Sequence, residues 1–252
     1  MQEVVVVGVG ELGSVFALGF LKCGRAVFPV TRGTRMAEVA RVVPDPALAL
    51  VAVGEADLDD VLAQRPLTWP LGLLQNELRP AVWLAHGIEN PTVAVVWFEK
   101  KPASSIRQLL PTVLHGPEAN LLADALAAVG VTTRIATSPG ELTLELAKKN
   151  LYIGVTNIAG LVTGGTVGAL WSEHHALALA VARDVLALER RLCEVDLDEA
   201  AMLSALEAAI AADPAHACAG RSAPVRLSRA LGHAERLGVP VPELGRIAGG
   251  RA

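Results

Sequence analysis

Residues 4–13 read VVVVGVGELG, and the folding of this stretch decides the architecture. Four consecutive valines suit a strand buried on both faces, as in a parallel sheet. Gly8, Gly10 and Gly13 then stand in GxGxxG spacing, directly after that strand and directly before a helical pattern. The first glycine allows the tight turn, the second lets the backbone approach a pyrophosphate, and the third lets helix and strand pack closely. Amides at the helix N-terminus then face the phosphates. A glycine-rich turn in an unrelated α/β protein is the competing reading. The strand–loop–helix context at the head of the chain favours a dinucleotide loop.

Outward from this loop, short valine-rich runs alternate with helical patterns, which predicts a mainly parallel sheet covered on both faces. The runs predict strands at 3–8, 26–31, 48–53, 70–75, 92–99, 112–115 and 132–136, with helices at 11–23, 57–65 and 118–129. After Ile135 the period changes. Ser138, Pro139 and Glu141 read as an N-cap, a proline at the first helical position and the glutamate of a capping box. A long helix should therefore run to about Val162, before Gly164–Gly165. Helical periodicity also covers 173–194, 198–212 and 224–237, and no further strand pattern occurs. The expected fold class is α/β: a Rossmann-type dinucleotide-binding domain over 1–137, then an all-α domain over 138–252.

The 252 residues are 52% hydrophobic and 19% charged with a net charge of -4, enough for a packed core. Lys and Arg are scattered, which excludes a nucleic-acid face or an acidic membrane surface. Cys23, Cys193 and Cys218 lie far apart and odd in number, so free thiols in a reducing cytoplasm are expected. The start lacks a signal peptide's basic region, and the apolar helix at 176–188 is too short to span a bilayer, with Arg183 and Asp184 inside it. His174 and His175 are adjacent on a predicted helix and point apart, and no other histidine has ligand spacing, so no metal is expected.

The second strand should end near residue 31, where the chain reads TRGTR (31–35), with no acid between Gly13 and Arg35 to bind a ribose 2′-hydroxyl. Thr31 and Arg32 suit a 2′-phosphate, which favours NADPH. Arginines merely solvated at a loop are the alternative. Further on, KKNLYIGVTN (148–157) sets Lys149, Ile153 and Asn157 along one helical face, with Lys149 and Asn157 roughly 12 Å apart at 1.5 Å per residue. An ammonium and an amide beside an apolar face suit a cleft in which a ketone is reduced: the ammonium stabilises the developing alkoxide and delivers the proton. The alternative is a lysine that snorkels to solvent and an asparagine bonded to a loop carbonyl. Lys148 points elsewhere and reads as the solvated lysine.

In this order the residues resemble the ketopantoate reductases (2-dehydropantoate 2-reductases), which share the helical domain of 6-phosphogluconate dehydrogenase. The resemblance runs from GVGELG through LLQNE (73–77) and Lys149 with Asn157 to LGVPVPE (237–243), nearly the whole chain. It implies NADPH-dependent reduction of ketopantoate or a related 2-oxo acid, a step of pantothenate biosynthesis, in a cleft between the domains. It also implies Lys149 and Asn76 as catalytic, Asn157 and Ser222 as substrate-binding, and Gly8, Gly10, Glu11, Leu12, Gly13, Thr31, Arg32, Val53 and Asn76 as cofactor-binding. The helical domain would serve substrate binding and, in a homodimer, dimerisation. The chain departs from the family at Glu77 (a glycine there), Ile153 (an asparagine), Gly54 (a lysine) and Ser222 (a glutamate). Ser222 beside Arg221 either binds a carboxylate or simply caps the helix. A non-catalytic NADP-binding regulator or a degenerate paralogue fits the same departures.

Overall fold

The computed structural model describes residues 2–102 and 104–250. The chain forms two compact units, one ending at Glu145 and the other beginning at Leu146.

In the first unit β1 (Val4–Val7) is fully buried, and the glycine turn leads into α1 (Glu11–Lys22). There follow β2 (Val27–Val30), α2 (Met36–Val42), β3 (Leu48–Val51), α3 (Leu58–Gln64), β4 (Leu71–Leu73), α4 (Pro80–Leu84) and β5 (Thr92–Val95). The first five strands pair in parallel in the order β2-β1-β3-β4-β5, as their apolar runs predict. The expected strand at 92–99 is broken. Its end turns away as β6 (Phe98–Glu99), which forms a hairpin with β7 (Arg107–Gln108). The chain therefore returns reversed: β8 (Thr112–His115) pairs antiparallel with β5, then α5 (Ala119–Ala128) leads to β9 (Thr133–Ile135), parallel to β8.

Pro29 lies in β2 at one edge of this sheet, exposed, where no neighbouring strand needs its missing N–H. One face of the sheet packs Val4, Val6, Leu48 and Leu50 against Phe16 and Phe20 of α1 and Leu122 and Leu126 of α5. The two helices touch at Gly19, where a Cβ would come 2.2 Å from the Ala125 carbonyl oxygen.

The long helix α6 (Pro139–Thr163) starts where its cap predicts. Ser138 Oγ accepts from the Glu141 amide at 3.2 Å, but the Glu141 carboxylate reaches back one residue further than a capping box requires, accepting from Thr137 N at 2.7 Å. Arg134 of β9 also binds it, and Arg134 pairs with Glu145 at 2.9 Å.

In the second unit the expected helix at 173–194 is α8 (His175–Cys193), and a separate short helix, α7 (Val167–Glu173), ends just before it because the chain bends at His174. His174 and His175 are therefore not on one helix, and both are exposed. Next come α9 (Glu199–Ala212), α10 (Ala223–Leu237) and α11 (Pro242–Gly249). Thr166 and Asp198 cap α7 and α9 with side-chain oxygens, and Gly238 closes α10 at φ +63°. Gly154 of α6 rests on Val185 of α8, and Asn150 donates to the buried Glu189 of α8 at 3.4 Å.

The segment LGVPVPE leads into α11, whose first amides, Glu243 N and Leu244 N, donate to Asp184 of α8 at 2.8 and 3.0 Å. Among the described residues no helix is long and apolar enough to cross a membrane, and no cluster of metal-ligating side chains occurs.

Candidate active site

Each unit holds one group of the expected site residues. In the first, the sheet's direction of winding changes at β1, with β2 on one side and β3 on the other, and ligands of such folds bind beyond the carboxyl ends of strands at that point. A cavity of about 630 Å³ lies there, lined among others by Gly8, Gly10, Thr31, Arg32, Val53 and Asp57.

Gly8 has φ +90°, and a Cβ on it would come 2.7 Å from the Ala52 carbonyl oxygen. At Gly13 a Cβ would come 1.9 Å from the Gly8 carbonyl oxygen, so both positions exclude a side chain. A Cβ on Gly10 meets nothing within 4 Å, and no side chain caps α1 at this residue. The open amide end fits a phosphate as its cap. Glu11 is exposed, and Leu12 packs against the sheet-and-helix core.

Arg32 extends into solvent and pairs with Asp57 of the same cavity at 3.5 Å. Val53 and Gly54, just after β3, also line the cavity, and a Cβ on Gly54 would meet nothing within 4 Å.

Beyond β4, Gln75 is buried and ties the end of β4 to the end of β3. Its Nε2 donates to the carbonyls of Val51 at 2.7 Å and Val53 at 3.3 Å, and its Oε1 accepts from Leu74 N at 3.1 Å. This fixes the half-buried Asn76 at the carboxyl end of the sheet. Sequence reasoning passed over Gln75, although an amide directly after an apolar strand was the available signal. Glu77 adopts φ +58°, the left-handed region where glycine is at ease and a side chain is strained.

In the second unit Lys149 lies on α6, its Nζ 5.9 Å from the centre of the Tyr152 ring. Burial, and then the Arg226 guanidinium, push its pKa down to about 7. Asn157 Oδ1 accepts from Arg226 Nη1 at 2.8 Å, and Asn157 Nδ2 lies 3.4 Å from Thr156 Oγ1. Ile153, between them on the helix, is buried apolar. Lys148, expected in solvent, is half-buried.

The segment 217–222 lies against α6. A Cβ on Gly160 would come 2.5 Å from Cys218 Cβ, and Gly220 would meet Asn157 Oδ1 at 3.8 Å. This segment delivers Ser222, half-buried at the N-cap of α10, whose side chain makes no capping bond. Arg221 is exposed.

Arg226 is a second residue that sequence reasoning missed. It is 7% exposed and shares the inward side of α10 with Ala223 and Leu227. An arginine at a position that the helical period assigns to the core was the signal.

No protein-family model matches this chain, and no curated protein does. Solved structures do match across nearly its whole length. A 2-dehydropantoate 2-reductase from Methylococcus capsulatus has a TM-score of 0.71 at 15% identity, covering 97% of this chain and 94% of that one. A PanE/ApbA family ketopantoate reductase from Ralstonia eutropha JMP134 has a TM-score of 0.69 at 18% identity, covering 98% and 96%. A D-mandelate dehydrogenase in complex with NADH has a TM-score of 0.70 at 11% identity, also covering 98% and 96%. The chain shares the fold of these oxidoreductases, a Rossmann-like sheet followed by helices.

Proposed function

We propose that this chain is an NADPH-dependent reductase of a 2-oxo acid, ketopantoate or a relative of it, producing the 2-hydroxy acid. Bound NADPH supplies the hydride to the keto carbon. The glycine loop holds its pyrophosphate, Thr31 and Arg32 its 2′-phosphate, and Val53 and Asn76 flank the rest of the nucleotide. Lys149 Nζ donates a hydrogen bond to the ketone oxygen and gives up its proton as charge develops there. Ser222 and Asn157 orient the oxo acid.

The observation that carries this reading is the state of Lys149: a partly enclosed lysine whose pKa lies at about 7 can release a proton at neutral pH, which an ordinary surface lysine does poorly. Loss of the family's glutamate at Ser222 favours a second reading, a dinucleotide-binding protein without turnover.

NADPH oxidation measured against a panel of 2-oxo acids separates the two. Turnover is expected, and Lys149→Ala should lower kcat by about a hundredfold or more while NADPH affinity changes little. Because the protonated fraction of Nζ falls as pH rises through about 7, kcat/KM should fall over the same range. NADPH binding with no turnover of any panel member would leave the binding-protein reading in its place.

A further inference from the structure

We propose that Arg226 is the carboxylate anchor of this site and selects substrates that carry an anion beside the ketone. The inference rests on the reductase reading for the identity of the ligand, and on geometry for the rest.

Arg226 comes from α10 and Asn157 from α6, and the 2.8 Å bond between them holds the guanidinium plane against the helix that bears Lys149. A guanidinium presents its N–H donors in a rigid fork that matches the two oxygens of a carboxylate, which a lysine does not. It also keeps its charge at every physiological pH. The division of labour follows from that difference: the permanent cation holds the permanent anion, and the lysine, which gains and loses a proton, serves the oxygen that needs one.

Asn157, whose Oδ1 accepts from Arg226, then orients the oxo acid through that guanidinium. The residue exchange on α10 points the same way. Where the family places a glutamate suited to a substrate hydroxyl, this chain has the uncharged Ser222, and one turn later it buries a cation. The sign of charge that α10 offers is thereby inverted.

An anion held by Arg226 also offsets the effect of that guanidinium on Lys149, so the ammonium form becomes easier to keep in the complex.

The test is equilibrium binding, by calorimetry in the presence of NADP+, of 2-oxoisovalerate and of its methyl ester, which carries the same ketone without the charge. The wild-type chain should bind the anion about tenfold or more tighter than the ester. Arg226→Gln should remove that preference, weakening the anion roughly tenfold to a hundredfold and the ester by no more than about twofold. Arg226→Lys, which keeps the charge and loses the fork, should restore part of the preference; it also serves if circular dichroism finds the glutamine variant unfolded.

Equal binding of anion and ester by the wild type, or a preference that survives Arg226→Gln, would overturn the anchor. Anion selectivity without any NADPH oxidation would retire the reductase reading and keep the anchor, whereas equal turnover of acid and ester would do the reverse.

Discussion

At the scale of single residues, the cofactor question turns on Arg32. Its pairing with Asp57 is long, at 3.5 Å, and both side chains are mostly exposed, so the pair is worth under about 1 kcal/mol. A 2′-phosphate offers the guanidinium a stronger partner, with two or three charged oxygens in reach. Arg32→Ala should therefore weaken NADPH roughly tenfold to a hundredfold and leave NADH within about twofold, as read by fluorescence titration of each nucleotide. An unchanged preference between the two would return Arg32 to the role of a solvated loop residue.

The glycine turn and the enclosed place of Lys149 were legible in the sequence, because a tight turn demands glycine at a fixed offset from a strand and helical spacing sets Lys149 beside an apolar face. Arg226 and Gln75 were not. Their importance comes from partners at a distance along the chain, Asn157 for the one and Val51 and Val53 for the other. Glu77 is an intermediate case: the sequence marks it as unusual, and only the backbone angle of +58° gives the reason.

At the scale of elements, the start of α6 makes a prediction about acid. Backbone donation from Thr137, with help from Arg134 and the Thr137 hydroxyl, holds the Glu141 carboxyl down at about 2, well below its ordinary 4.5. A depressed carboxyl stabilises the fold above its unfolded pKa, and that contribution is lost as pH falls toward the folded value. Wild type should thus be more heat-stable than Glu141→Gln above about pH 4.5, and the two melting temperatures should converge as pH drops toward 2. Melting curves that stay apart at acid pH would show the glutamate acting through something other than its charge.

Local signals of this kind made α6 readable, and the long apolar runs made most of the strands readable. The short helices α2, α4, α7 and α11 escaped because five to eight residues carry too little period. For α11 the decisive cap is Asp184, nearly sixty residues earlier in the chain. The break in the strand at 92–99 escaped for a related reason. Val96 and Trp97 are as buried as the strand before them, and the turn is set by the Trp97 amide donating to Thr112 Oγ1 at 3.2 Å.

At the scale of the whole molecule, the α/β-then-helical order of the chain was set by the switch of hydrophobic period after Ile135, whereas the reversal of β8 and β9 depends on a hairpin that no period announces. That reversal leaves the seven-stranded sheet with β2 at one margin and β9 at the other. Each margin is unsuited to recruiting a strand from another molecule: β2 contains a proline that cannot donate, and β9 is only three residues long with Arg134 at its centre. Pro29→Val should therefore change the unfolding midpoint little but lower the onset of aggregation on heating, followed by light scattering, because a four-residue valine-rich ribbon would lie open to solvent. With a proline at one margin and three residues at the other, this valine-rich sheet offers little backbone on which a further strand could be laid.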